Sequence, residues 1–187
     1  EYRFVHAAHK VVGVGSVGTR AWIALFVGRD EGDPLFLQVK EAQASVLEPF
    51  VGVSAFANAG ERVVAGQRIM QASSDIFLGW LGVARSIDGA GRDYYVRQLR
   101  DWKGSVVVEA MDPAALSVYG RLCAATLAHA HARSGDRIAI AAYLGSGTAF
   151  DRAILAFSDA YAEQNERDYA SLAEAVSSGR LQADQSL

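Results

Sequence analysis

The chain has little cysteine, no cluster of basic charge and no long apolar run. Its single cysteine, Cys123, excludes an intrachain disulfide and points to a reducing compartment, so cytoplasm is the expected location. Net charge is −3 and Lys and Arg nowhere bunch together, which argues against nucleic acid as the main partner, since phosphate-backbone binding needs clustered cations. No uninterrupted apolar stretch reaches the roughly 18 residues of a membrane span, and no membrane partner is expected. The N-terminus lacks the basic start and apolar core of a signal peptide. It also lacks an initiator methionine and enters a strand within about ten residues, which predicts a piece of a longer protein. Internal repeats and low-complexity segments are absent. What is present is a globular composition: 51% apolar and 21% charged over 187 residues, enough for one domain or two small lobes around one cleft.

The most informative stretch runs Lys10-Val11-Val12-Gly13-Val14-Gly15-Ser16-Val17-Gly18-Thr19-Arg20. Glycines at 13, 15 and 18 let the backbone turn sharply with its N–H groups converging, the geometry of a phosphate-binding nest. Two nucleotide folds use such a loop. In a Rossmann fold a helix starts at the third glycine and an acid follows about 20 residues later. In a kinase-like fold the loop joins two antiparallel strands, and a lysine sits on the next strand. Thr19–Gly28 is rich in aromatic and β-branched residues and has no cap signal, so it reads as a strand, and Asp30 comes too early for a ribose ligand. Arg29-Asp30-Glu31-Gly32-Asp33-Pro34 reads as a turn, and Leu35–Lys40 as a third strand ending in lysine. That order favours the kinase-like small lobe; a glycine-bearing hairpin without ligand is the alternative. Gly13, Gly15, Ser16, Gly18 and Lys40 are therefore the phosphate-binding candidates.

Downstream, Ser45-Val46-Leu47 predicts a short helical turn, with helix discouraged at Glu48 by the following proline. Asn58-Ala59-Gly60 reads as a turn or cap. A helix is expected from Glu61 to about Ser73, with Val63, Val64, Gln67 and Met70 as its buried stripe. Gln67 then sits mid-face, either bonded to nearby backbone or facing the Lys40 amine where kinases use an acid; Glu61 is the other candidate. Phe77–Arg85 is the fourth strand, with Gly79 and Gly82 as candidate bulges, and Asp88–Gly91 a hairpin turn. Asp93–Arg100 is the fifth, alternating Tyr94, Val96, Gln98 and Arg100 against Tyr95, Arg97 and Leu99, with Arg97 taken as a sheet-edge residue. Asp101–Ser105 leaves the sheet as the hinge that would bond an adenine edge, which makes Arg100 and Asp101 binding candidates.

The remainder reads as helical. Asp112 caps a helix that starts at Pro113 and stops at Gly135. Leu116, Tyr119, Leu122, Cys123, Thr126, Leu127 and Ala130 form its apolar stripe, with Cys123 expected as a small core residue. His129 and His131 are two apart and point to different faces, a poor metal pair. Ile138–Leu144 reads as an apolar connector, after which Thr148 caps a long helix carrying Phe150, Ile154, Phe157, Tyr161, Tyr169, Leu172 and Val176 on one side. The expected fold is thus α+β: a five-stranded antiparallel sheet with one packed helix over residues 1–104, then a long-helix part over 105–187.

Several segments also resemble a bacterial family known as domain of unknown function 2252. They are Val11–Arg20, Pro34–Ala42, Gly66–Gln71, Ser74–Trp80, Tyr95–Asp101, Ala130–Asp136 and Gln164–Tyr169, spread over nearly the whole chain. The family resembles, distantly, protein kinases and aminoglycoside phosphotransferases. The resemblance implies ATP as ligand and a phosphate acceptor of unknown identity. It also implies members about twice this length, with an upstream G-D-x-H-x-x-N-x-G segment and a D-F-D segment for catalysis and metal binding. Neither occurs here: after Gly135-Asp136, Ala141 stands where the metal-binding Asn belongs, and Phe150-Asp151-Arg152 reads as the acidic first turn of a helix. The expectation is an ATP-binding half of a kinase-like phosphotransferase, with Mg²⁺ held only together with the other half and no catalysis by this chain alone. The other expectation is a non-catalytic nucleotide-binding or protein-interaction module.

Overall fold

The computed structural model describes residues 1–10, 16, 18–71, 73, 75–86, 89–99 and 106–183. The strands are β1 (Arg3–His9), β2 (Ala21–Val27), β3 (Pro34–Ala42), β4 (Gly79–Val83) and β5 (Arg92–Gln98). They form one antiparallel sheet in the order β1-β2-β3-β5-β4, so the Rossmann alternative, with a parallel sheet, does not apply. The turn between β2 and β3 is built as its composition suggests. Gly28 N–H donates to the Asp33 carbonyl at 2.9 Å, and the Asp30 carboxylate accepts from Gly32 N–H at 2.9 Å.

The sequence reading starts the sheet at about residue 9, and three strand details differ from it. The first strand lies at Arg3–His9, before the apolar run that leads into the glycines, with a register shift between Phe4 and His6. It is an exposed edge strand, whereas its partner β2 buries Ala21 and Ala24. Arg97 is not at an edge, because β5 lies between β3 and β4. Gly79 and Gly82 make no bulge, since β4 pairs with β5 in continuous register. At Gly82 the small residue instead admits a close neighbour: a Cβ there would sit 3.2 Å from the Asn58 amide nitrogen.

The helices are α1 (Glu48–Val51), α2 (Ala59–Met70), α3 (Pro113–Ser134), α4 (Arg137–Leu144) and α5 (Ala149–Ser177). The expected turn at Ser45–Leu47 is present, with Glu48 N–H donating to the Ser45 carbonyl at 3.1 Å; the correction is at Glu48, where helix begins, with Pro49 in the first turn, where its missing N–H costs nothing. α2 starts at an Asn58 cap whose side chain accepts from Glu61 N–H. Asp93 on β5 fixes this start to the sheet, accepting from Asn58 Nδ2 and Ala59 N–H, both at 2.7 Å. Gly60 and Val64 are the buried residues of α2, while Gln67 is half-buried and Met70 exposed, so the buried line runs one turn earlier than the predicted stripe. Ala21, Ala24, Leu35, Leu78 and Tyr94 complete the core beside Val64.

Residues 1–135 and 136–187 form two compact units. The predicted division at 104/105 falls within residues 100–105, outside the described ones. In the first unit α3 is capped by Asp112, which accepts from Ala115 N–H at 2.7 Å. It meets the end of α2 through Arg133 Nη1, which donates to the carbonyls of Ile69 at 2.9 Å and Gln71 at 3.1 Å. Of its predicted stripe only Ala130 is buried; Leu116, Leu122, Leu127 and Cys123 are exposed, which corrects the reading of Cys123 as a core residue. The second unit holds α4 where a connector was expected. Asp136 Oδ1 accepts from Ile138 and Ala139 N–H at 2.9 and 3.0 Å, and this cap sets an otherwise ambiguous apolar run as helix. Thr148 precedes α5 but its side chain makes no capping bond.

Candidate functional site

The glycine loop enters the sheet through a tight turn. Ser16 carbonyl accepts from Thr19 N–H at 3.1 Å and from Thr19 Oγ1 at 2.8 Å, and Gly18 between them has φ +79°. That conformation strains any residue with a Cβ, which gives the third glycine its reason. Gly13, Gly15, Arg100 and Asp101 lie outside the described residues. β3 then pairs Lys40 with Ala21 on β2 and with Tyr95 on β5. Ser16, Thr19, Lys40, Arg62, Val63 and Tyr95 line one open cleft of about 370 Å³ beside the C-terminal end of β3. The structure thus brings Ser16 and Lys40 to one cleft, with Gly18 in the turn beside it. Gln67 is one helical turn beyond Val63 on the same side of α2 and half-buried.

The cleft contains two groups that the sequence did not single out. Arg62 presents a guanidinium whose Nη2 donates to the Gln43 carbonyl at 2.8 Å. Glu41, next to Lys40, is a buried carboxylate: its Oε2 accepts from Arg20 N–H at 3.0 Å and Arg20 Nη1 at 3.3 Å, and its Oε1 from Arg92 Nη1 at 3.0 Å. Burial alone would raise this carboxyl. The Arg20 backbone N–H, the Arg20 and Gln43 side chains and the Arg92 charge outweigh it and hold Glu41 below its ordinary 4.5. The cluster ties the loop's exit, at Arg20, to β3 and β5 at once. Its signal in the sequence is an acid in line with Leu35, Leu37 and Val39, on the row that alternation assigns to one face. Arg62 carries no such signal, because its neighbour Val63 is the residue the stripe selects.

Along the other row of β3, Gln38 and Lys40 share a face with Tyr95 and Arg97 of β5. Arg97 Nε and Nη2 both donate to Gln38 Oε1, at 3.0 and 2.9 Å, which satisfies a guanidinium in the sheet interior. Burial pushes the Tyr95 hydroxyl above its ordinary 10.0, against the opposing Arg97 charge, so it stands in the cleft wall as a neutral group at pH 7. Among the described residues no three His, Cys, Asp or Glu side chains gather as a metal site, and no helix is long and apolar enough to cross a membrane.

A family model described as an uncharacterized protein conserved in bacteria, DUF2252, matches residues 1–175. The chain belongs to this family. The DUF2252 match includes every strand, α1 to α4 and most of α5, so the cleft and the Glu41 cluster lie wholly inside it. No curated protein and no solved structure matches the chain.

Proposed function

We propose that the cleft holds the phosphates of ATP, and that this DUF2252 chain is the ATP-binding half of a kinase-like phosphotransferase of unknown acceptor. The observation that carries the reading is that Lys40 and the exit of the glycine loop, Ser16 and Thr19, line the same cleft. A lysine ammonium suits phosphate oxygens as a point charge. Backbone N–H groups of a glycine loop favour phosphate oxygens. Both preferences are met by one ligand. Gly13, Gly15, Arg100, Asp101 and Gln67 complete the proposed contacts, with the segment from Arg100 at the base. Mg²⁺ would be held by residues supplied from outside this chain, and the acceptor with it.

The test is calorimetry of ATP–Mg²⁺ binding to wild type and Lys40→Met. Methionine keeps the stem and removes the charge, and affinity should fall by about 1.5–3 kcal/mol, the range for a hydrogen bond to a charged group. Equal affinity in the two proteins refutes the assignment. A second reading, a non-catalytic nucleotide-binding or protein-interaction module, is favoured by the exposed Leu116, Leu122 and Leu127 on α3. ATP binding without turnover in a chain supplemented with its genomic upstream segment would select that reading.

A further inference from the structure

The two edges of the sheet are built differently. β1, at one edge, carries Arg3, His6 and His9 and is interrupted by the register shift between Phe4 and His6. Charge and irregularity of that kind keep an edge from pairing with another chain. β4, at the other edge, has neither. Gly79-Trp80-Leu81-Gly82-Val83 contains no charged residue and no proline, and its register with β5 is continuous. Its five residues are an ordinary strand length. Every second residue turns its N–H and C=O away from β5, and among the described residues none of these groups has a hydrogen-bond partner on that side. Trp80 is 47% exposed and Leu81 39%, on opposite faces of the strand.

The sequence of β4 is also complementary to itself. Paired antiparallel with a second copy across a two-fold axis at Leu81, Leu81 meets Leu81, Trp80 meets Gly82 and Val83 meets Gly79. Each large side chain except Leu81 then lies across from a glycine, the arrangement in which an aromatic ring covers the backbone that a strand glycine leaves bare. A glycine inside a strand weakens it unless something approaches closely. Gly82 has its neighbour within the chain, the Asn58 amide. Gly79 has none: a Cβ there would meet only the Phe77 carbonyl, at 4.0 Å, and its φ is not positive.

We propose that β4 is a homodimer interface, in which two chains join edge to edge through antiparallel β4 strands with Leu81 on the two-fold axis. The two five-stranded sheets become one. The inference is independent of what the cleft binds. An extended peptide of another protein could use the same edge but would have no two-fold axis, and the test separates the two.

Sedimentation equilibrium of the wild-type chain should show a 20.0 kDa monomer passing to twice that mass in the micromolar range, as suits a small interface. Leu81→Lys and Leu81→Glu each set like charges face to face on the axis, and each should leave a monomer with wild-type circular dichroism. An equimolar mixture of the two variants should regain the dimer, because the lysine of one chain then faces the glutamate of the other. Val5→Lys, at the opposite edge, should dimerise as wild type does. In the wild-type chain, amide exchange in β4 should slow as concentration rises while that in β1 does not; this arm needs no variant to fold. A wild-type chain still monomeric at about 100 μM overturns the proposal. So does a dimer that survives both Leu81 variants, a dimer lost in Val5→Lys, or amide exchange in β4 that is independent of concentration. Monomeric variants that fail to recombine on mixing overturn it too, and leave the edge to a partner without the two-fold axis.

Discussion

Replacing Glu41 by glutamine tests whether the carboxylate cluster, rather than the hydrophobic core alone, holds the cleft wall in place. The side chain is 4% exposed and its two oxygens face N–H donors from Arg20 and Arg92 at 3.0 to 3.3 Å. Glutamine keeps the shape but can accept at only one of the two positions; at the other its NH₂ meets a donor. One charge-assisted bond is lost and the remaining ones become neutral-acceptor bonds, which costs about 1.5–3 kcal/mol for the first and up to about 1 kcal/mol for the rest. Removing one partner of a fully buried ion pair costs about 3–5 kcal/mol. Here the Arg20 side chain is 37% exposed and regains water, so the loss should stay below that range. The expected destabilisation is about 2–3 kcal/mol, a fall in Tm of roughly 4–12 °C for a chain of this size. The pH dependence gives the sharper readout. The folded carboxyl titrates below its ordinary 4.5, so its contribution is complete above about that pH and is lost as pH falls through the lower folded value. Wild type and Glu41→Gln should therefore differ most in urea melts at neutral pH and converge on acidification. A destabilisation under about 0.5 kcal/mol, or a constant difference between pH 7 and pH 3, refutes the reasoning.

Three further outcomes are expected. Gly60→Ala places a Cβ onto the Tyr94 carbonyl and should cost about 1–3 kcal/mol in denaturant melts, as overpacking against backbone does; a neutral effect would mean that α2 slides easily on β5. Asp93→Asn leaves one of the two α2 anchors, at Asn58 Nδ2 and Ala59 N–H, without its charged acceptor, and faster amide exchange should appear in the first turn of α2 ahead of β5. If Gln67 serves the proposed ATP site, Gln67→Leu should weaken ATP binding more than it lowers Tm; the residue is half-buried one turn along α2 from Val63, and equal loss of both would make it a packing residue only.

The sheet could be read from the sequence where β-branched and aromatic residues run between turn signals. β5 shows it: Tyr94, Tyr95 and Val96 follow the turn at Asp88–Gly91, and the strand pairs with β3 from Asp93 to Gln98, although only Tyr94 of it is fully buried. β1 is less legible, since nearly all of it is exposed and its histidines and alanines carry no β-branched or aromatic run beyond Phe4-Val5. For α4 a single Asp136 cap decided between helix and extended chain, a local bond that periodicity over eight residues cannot register. The place of β5 between β3 and β4 is set by tertiary packing, and with it the partner of Arg97. The candidate site was half visible. Lys40 and Ser16 stand out by motif, whereas Arg62 and Glu41 act through neighbours distant in sequence: Gln43 for one, Arg20 and Arg92 for the other.

The strand order also says something about how the chain is made. β1, β2 and β3 are successive hairpins and can pair as soon as they are synthesised. β3's other edge waits for β5, whose pairing begins at Asp93 and ends at Gln98, more than fifty residues after Ala42. During that interval a nine-residue strand with Leu35, Leu37 and Val39 presents open N–H and C=O groups to any passing strand. A ribosome-bound or truncated chain that stops short of β5 is thus the species most prone to aggregate. Lys40 and Glu41 at the end of that edge then serve as charged gatekeepers before they serve as anything else.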